Sequence, residues 1–346
     1  MTAPDTTCHG QAWTEAGAHA VAPGVYRVPL PLPNDGLRAV NVYVVEEPDG
    51  LVLVDAGWAL LESRRRLEAA LASIGHDIGE VRQILVTHIH RDHYTQAVVL
   101  RRLVGASVHL GAGERPGLEQ LLELRTNLPL SALTLLRRNG AGRLADTLLR
   151  QAQWDDFDPD CWEPPDTWIT AGDIALGGRT LRAIPTPGHT RGHVVFLDAA
   201  AGLLFAGDHV LPHITPSIGF ELADPGLPLG DYLDSLTLVT RFPDALLLPA
   251  HGPVGRRVHA RVGELLRHHE SRLDQALAAV GDRAMPAFDV ASRLTWTRRH
   301  RGFAELDLFN QMLAVAETAA HLDLLVARGL LTACDEDGTA IYGRPS

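Results

Sequence analysis

The sequence contains no lysine, and all 31 of its basic residues are arginines. Chemistry through a lysine Schiff base or a nucleophilic lysine is therefore excluded. Cysteine is almost as scarce, because Cys8, Cys161 and Cys334 are too few for a disulfide framework and are not spaced as metal ligands. No apolar run reaches the ~18 residues of a membrane span, and residues 1–17 lack the basic-then-apolar pattern of a signal peptide. These absences predict a cytoplasmic protein that does not bind a membrane.

Basic residues are also outnumbered by acidic ones, and the formal net charge is −11. The whole excess of acidic residues lies before Gly252, and the part that follows is neutral. Neither part offers the basic surface with which proteins bind the phosphate backbone of nucleic acids. We therefore expect a small-molecule substrate; nucleic acid is disfavoured but stays open. A length of 346 residues suits one large domain with a small appendage.

What the sequence does have is a concentration of histidine in residues 87–93. This stretch follows an apolar run (84–86) and precedes a helix-like segment (96–104), so it lies where a buried strand turns into a helix. His88 and His90 are two residues apart and point the same way if the chain is extended, while Asp92 and His93 can reach a second point nearby. Three imidazoles and one carboxylate suit zinc or a similar divalent metal. The alternative is a loop of ordinary surface histidines.

Three later loops repeat the arrangement of a strand end followed by glycine and a polar ligand type. They contain Gly188-His189, Gly207-Asp208 and His251-Gly252. Loops at strand ends are where functional residues collect. The sequence therefore predicts that these side chains meet the histidine-rich loop.

Taken together and in this order, these loops resemble the metallo-β-lactamase superfamily. The resemblance rests on the His-x-His-x-Asp-His loop, the Gly-His-Thr, Gly-Asp and His-Gly loops and the Leu-Val-Asp-Ala-Gly element (53–57), and it covers roughly residues 20–255. It implies an α/β fold, the αββα sandwich, with a two-metal site at one edge. The first metal would take His88, His90 and His189, the second Asp92, His93 and His251, and Asp208 would bridge them.

The resemblance also implies a reaction. In a binuclear hydrolase a metal-bridging hydroxide attacks an electrophilic carbonyl or phosphoryl group, because metals lower the pKa of bound water to about 7. We predict two zinc ions per chain, with iron or manganese as alternatives, and Asp92 and Asp208 as the catalytic carboxylates. Asp208 in place of Cys speaks against the commonest antibiotic-hydrolysing type, and His90 in place of Glu speaks against a di-iron flavoprotein reductase.

Our leading hypothesis is a hydrolase of thioesters, esters or lactones that have an apolar acyl part. A phosphodiesterase or ribonuclease with the same di-zinc site stays open, as does a mononuclear iron dioxygenase acting on persulfides. A nucleic-acid-binding regulator with a structural metal is a third class, although seven ligands exceed what a structural site needs.

Residues next to the ligands are predicted to orient them. Asp55 resembles the family carboxylate that holds a ligand imidazole, and Thr87 is placed to hydrogen-bond a ligand. His209, with His213, either supports the site or is an ordinary loop histidine. His193 is predicted to be structural.

The domain organisation follows from composition and spacing. Residues 1–18 are predicted to be a tail and residues 19–257 the catalytic domain, with a leucine-rich helical insertion at 114–154 that is either a lid over the substrate or plain core packing. Residues 258–346 form a linker helix and a small winged-helix domain, by their order of helix, helix and hairpin. Within this domain, the basic residues 298–301 are predicted to form a solvated turn rather than a phosphate-binding site. This module is therefore expected to serve in packing or in a homodimer.

Overall fold

The computed structural model describes residues 12–33, 36–124, 130–151, 158–220, 226–297 and 300–345. Three predicted features fall partly outside these residues: the tail (1–11), the insertion (125–129 and 152–154) and the basic turn (298–299).

Two mixed β-sheets form the centre of the molecule. The first has the strand order β1-β2-β3-β4-β5-β6-β7 and the second β12-β11-β10-β9-β8. The first sheet consists of β1 (His19–Ala22), β2 (Val25–Pro31), β3 (Ala39–Glu47), β4 (Gly50–Val54), β5 (Val81–Val86), β6 (Ser107–Gly111) and β7 (Thr167–Ile169). The second consists of β8 (Gly172–Ala175), β9 (Thr180–Pro185), β10 (Val194–Asp198), β11 (Leu203–Gly207) and β12 (Leu246–Pro249).

The sheets pack face to face because their central strands carry apolar side chains on both faces, and one of these faces meets the other sheet. In β3, Tyr43 and Val45 point to the second sheet, where Phe205 and Leu248 meet them. The other face of the first sheet, including Val42, is covered by two helices. Strands buried on both sides read as nearly continuous apolar runs, as β3 and β5 do in the sequence.

Helices cover both outer faces, so the layers are α, β, β and α, as predicted. The nine α-helices of the described residues are α1 (Leu61–Ser73), α2 (Arg91–Val104), α3 (Arg115–Leu124), α4 (Leu130–Arg138), α5 (Gly142–Gln151), α6 (Pro228–Val239), α7 (Val258–Val280), α8 (Ala287–Arg293) and α9 (Leu308–Ala327). Helices α1 and α2 pack on the first sheet. Helices α6 and α7 pack on the second, with Leu236 and Val262 in one core with the sheet residue Leu247.

The insertion forms three helices, α3 to α5, and its described part is largely core. Leu136 and Leu144 are buried in the same cluster as Leu322 and Leu325 of α9. These side chains pack between the insertion and the C-terminal helices. For the described residues this arrangement favours core packing over a free lid.

The C-terminal part consists of α7 to α9 and two hairpins. The hairpins are β13 (Thr295–Trp296) with β14 (Arg301–Gly302), and β15 (Thr332–Glu336) with β16 (Thr339–Gly343). The order of α8, α9 and hairpin is that of the predicted winged helix, an assignment that stays a prediction. Among the described residues no helix combines the length and the apolar character that a membrane crossing requires.

Local differences from the expected elements have physical causes. The segment 19–30 is two strands, because Pro23-Gly24 makes a turn and Gly24 has φ +68°. Helix α2 begins at Arg91, five residues earlier than the apolar pattern indicates, since its first turn is filled by ligand-type residues. Strand β7 is only three residues long and carries no readable alternation.

Candidate metal centre

The candidate site lies where strands of both sheets end. The loop after β5 carries His88 and His90, and the first turn of α2 carries Asp92 and His93. His189 lies between β9 and β10. Asp208 and His251 directly follow the parallel strands β11 and β12. Because these strand ends meet at one edge of the sandwich, residues up to 163 positions apart in sequence come together.

Three imidazoles form a first group. The Nδ1 atom of His90 lies 3.0 Å from Nε2 of His88 and 3.2 Å from Nε2 of His189. With Asp208, their ligand atoms all lie within 4.8 Å of one another. Convergence of these atoms on one point is what a metal ion requires.

A second group contains Asp92, His93 and His251, whose ligand atoms also lie within 4.8 Å of one another. The Oδ2 atom of Asp92 is 3.5 Å from Nε2 of His93 and 3.4 Å from Nε2 of His251. Asp208 lies between the two groups. Its Oδ2 is 3.4 Å from Nε2 of His189, while its Oδ1 is 3.3 Å from Nε2 of His251. Each carboxylate oxygen thus faces a different group.

The residues present fit bound metal ions. The Nε2 atoms of His93 and His251 and Oδ1 of Asp208 are buried without a hydrogen-bond partner among the described residues. Leaving a buried polar atom unsatisfied costs about 1–3 kcal/mol, and three such atoms meet at one place. A metal ion would satisfy all of them. The fold and these His/Asp groups together indicate a metal cofactor.

Electrostatics point the same way. Burial and the neighbouring His189 lower the pKa of His90 to about 3, so its imidazole is neutral, the form that binds metals. Burial opposes a charge on His93, but Asp55 and Asp92 outweigh it and raise the pKa of His93 to about 10. The second group therefore attracts positive charge, whether a proton or a metal ion that displaces it.

Hydrogen bonds on the far side of four imidazoles fix which nitrogen faces the site. Nδ1 of His189 lies 2.8 Å from the carbonyl oxygen of Ser217, and Nδ1 of His251 lies 2.8 Å from that of Ala39. A carbonyl only accepts, so both Nδ1 atoms carry the proton and both Nε2 atoms present a lone pair to the site.

The remaining two imidazoles are held through Asp55. His93 donates from Nδ1 to Asp55 Oδ2 at 2.9 Å. The hydroxyl of Thr87 donates to the same carboxylate, so it accepts the Nδ1 proton of His88 at 3.0 Å. Asp55 has φ +60°, an uncommon backbone conformation for a residue other than glycine. Such outliers persist where the surroundings determine them and cluster at functional sites.

The structure therefore brings all seven candidate ligands together, with Asp55 and Thr87 in contact with two of them. Their roles as ligands and ligand supports stay predictions. His209 lies further back, where its ring is 5.9 Å from that of His193 and 5.3 Å from that of Tyr232. His213 is exposed.

Three further buried residues contact the site: His193, which is predicted above to be structural, and two that the sequence did not single out. His193 accepts from the backbone N–H of Asp208 at 3.2 Å, and its ring stacks on that of His88. Asn41 donates to the carbonyls on both sides of His251, at Pro249 and Gly252. The third, Glu114, is 3% exposed and contacts both loops of the first group. His193 could be singled out from the sequence because it follows the Gly-His-Thr loop, whereas Asn41 and Glu114 have no local signal.

Comparison with known proteins agrees with this geometry. Residues 35–251 match the model of the "Metallo-beta-lactamase superfamily". The chain is 25% identical over 323 residues to the "Probable metallo-hydrolase YqjP" of Bacillus subtilis, covering 91% of this chain and 96% of that protein.

Two solved structures share the fold over nearly their whole length. The "Beta-lactamase domain protein from Burkholderia ambifaria" has a TM-score of 0.79 at 27% identity, over 98% of this chain and 97% of that one. A "metallo-beta-lactamase family protein" from Thermus thermophilus has a TM-score of 0.76 at 27% identity, over 94% of this chain and 100% of that one. The chain therefore belongs to the metallo-beta-lactamase superfamily, as a metallo-hydrolase.

Proposed function

We propose that the protein is a binuclear zinc hydrolase of a carboxylic thioester, ester or lactone with an apolar acyl part. The observation that carries the proposal is the pair of ligand groups with Asp208 between them, one oxygen toward each. Iron or manganese would suit the same nitrogen and oxygen donors.

Two bound metal ions would supply a Lewis acid for the carbonyl oxygen and a water nucleophile at neutral pH. The chain's own residues prepare the site for them. Four imidazoles are held in one orientation through Nδ1, and three members of the first group, His88, His189 and Asp208, are buried. Asp92 is the more exposed of the two site carboxylates, at 17% against 9% for Asp208. We assign Asp92 the role of accepting a proton at its Oδ1, because its Oδ2 faces the imidazoles of the second group.

The apolar acyl part has a candidate wall beside the first group. The carbonyl of Ser217 contacts His189, and three residues later the ring of Phe220 lies 6.3 Å from that of Phe309 at the start of α9. Three residues span at most ~10 Å, so this aromatic pair is within reach of a substrate chain. Phe309 is 55% exposed, so beyond its contact with Phe220 much of this ring is left uncovered by the described residues. An apolar acyl chain is the partner that we propose.

The first experiment is metal analysis together with acyl-thioester and ester series of increasing chain length. We expect two zinc ions per chain, hydrolysis that improves with chain length, and loss of both in His88→Ala and Asp208→Ala. Phe309→Ala should lower kcat/KM for long acyl chains about 10-fold and leave short ones unchanged, since burying a few methylenes is worth ~1–3 kcal/mol.

A matched control is Leu330→Ala, which also removes an exposed apolar side chain. Leu330 lies just beyond the C-terminal end of the 20-residue α9, about 30 Å along the helix from Phe309.

The proposal would be contradicted if metal-loaded protein hydrolysed no acyl substrate. Cleavage of RNA, or one iron per chain with oxygen uptake on persulfides, would identify the phosphodiesterase or dioxygenase alternatives instead.

A further inference from the structure

Glu114 is a buried carboxylate for which the proposed function has no role. It ends a short 3-10 helix (Ala112–Glu114) directly after β6, the neighbour of the strand that leads into the histidine-rich loop. It is 3% exposed, and burial opposes its charge and raises its pKa to about 7. Burying a carboxylate is costly unless hydrogen bonds compensate. The hydrogen-bond partners of Glu114 must therefore offset the cost of burying it.

Those partners come from both loops of the first ligand group. The hydroxyl of Thr190, which follows His189, donates to Oε1 of Glu114 at 2.5 Å. The backbone N–H groups of Ile89 and Gly192 also face this carboxyl and act to lower its pKa. Ile89 stands between His88 and His90. One carboxylate thus lies against both loops whose three imidazoles converge.

The backbone is built to allow this approach. A Cβ atom on Gly111 would lie 1.9 Å from the carbonyl oxygen of Gly192, and one on Gly113 would lie 2.6 Å from that of Arg191. A Cβ on Gly192 would lie 2.2 Å from the backbone nitrogen of Glu114. Glycine on both sides lets the two chain segments touch without side chains between them. The carboxylate therefore lies directly beside the loop that carries His189.

We infer that Glu114 is a positioning residue that sets the spacing between the loop of His88 and His90 and the loop of His189. The second group does not depend on it, because His93 is held by Asp55 and His251 by the carbonyl of Ala39. Loss of Glu114 should therefore weaken one of two metal sites selectively. The inference rests on the proposed binuclear site but not on the substrate.

The test is titration of metal-free protein with cobalt(II), followed by absorption spectra and chelator competition. Glu114→Gln keeps the size of the side chain but removes its charge and replaces one accepting oxygen with an NH₂ donor. We expect it to weaken one cobalt equivalent about 10- to 100-fold and to leave the other unchanged. Thr190→Val removes a single donor and should have a smaller effect in the same direction. Glu119→Gln, on the exposed face of α3, is the matched control and should bind as wild type.

A readout without metal separates positioning from general stability. In metal-free Glu114→Ala, the amides of Ile89 and Gly192 should exchange hydrogen at least 10-fold faster, while amides of the β3 core should not change. Equal loss of both cobalt equivalents, or wild-type binding in Glu114→Gln, would overturn the inference. If Glu114→Ala does not fold, Thr190→Val with unchanged cobalt binding has the same consequence. A wild-type protein that binds two cobalt ions and hydrolyses no acyl substrate would refute the proposed function alone.

Discussion

Asp55→Asn is the substitution for which the structure gives the sharpest expectation. Asn has nearly the same shape as Asp and also tolerates the left-handed backbone conformation, φ +60°, found here. The fold should therefore survive. What changes is the atom that faces Nδ1 of His93, where a carboxylate oxygen accepts at 2.9 Å.

An amide cannot serve both neighbours of Asp55. The backbone N–H of Thr87 donates to Oδ1 at 2.8 Å, so the amide oxygen is needed there. The amide NH₂ then faces the N–H of His93, and two donors meet. The imidazole relieves this conflict by moving its proton to Nε2, which removes the lone pair that points into the second ligand group.

Loss of such an outer contact typically lowers metal affinity 10- to 100-fold, about 1.4–2.7 kcal/mol. We expect this loss for one metal equivalent, measured by chelator competition with zinc or cobalt(II). The matched control is Asp198→Asn, a buried carboxylate of the second sheet that binds Arg179; it should lower the free energy of unfolding without changing metal affinity. Asp55→Asn protein that folds and binds both metals within about twofold of wild type would show that the reasoning is wrong.

Three further predictions concern buried residues. His193→Phe leaves the buried N–H of Asp208 without its acceptor and should lower the free energy of unfolding by about 1–3 kcal/mol in denaturant titrations. Gly188→Ala places a Cβ 2.4 Å from the backbone of Tyr232 at φ +135°, so we expect a loss of about 2 kcal/mol or more and weaker metal binding. Burial lowers the pKa of His269 to about 2. Its stabilising effect is complete above its unfolded-state pKa of about 6.5 and is lost as the pH falls, so below that pH the stability advantage of wild type over His269→Gln should shrink by about 1.4 kcal/mol per unit.

Much of the fold and most of the candidate site could be predicted because their determinants are local. Strands such as β3 and β5 appear as apolar runs, and α7 begins at Val258, where the linker helix is predicted to begin. The ligand types stand in short motifs at strand ends, so their order along the chain indicates their meeting. The helical start of α2 could not be predicted from the same signal, because Asp92 and His93 interrupt the apolar pattern.

The residues that support the ligands are harder to predict because their partners are distant in sequence. Asn41 binds the carbonyl of Pro249, 208 residues away, and Glu114 binds Thr190, 76 residues away. Asn41 is a single residue within a strand and Glu114 a single residue after a strand, so no repeating sequence pattern identifies either of them. Only the closing of the two sheets brings these side chains to their partners.

The residues that hold the two ligand groups come from different parts of the fold, which the ligand motifs alone do not show. The second group is held by the first sheet, through Asp55 after β4 and the carbonyl of Ala39 in β3. His189 of the first group instead depends on Ser217, in a loop where a Cβ on Gly219 would lie 2.9 Å from the backbone of α9. Because α9 also packs with the insertion helices, we expect structural changes in the C-terminal module to reach His189 through this loop. The supports of His93 and His251 lie in the first sheet instead, so the two metal positions should differ in their sensitivity to that module.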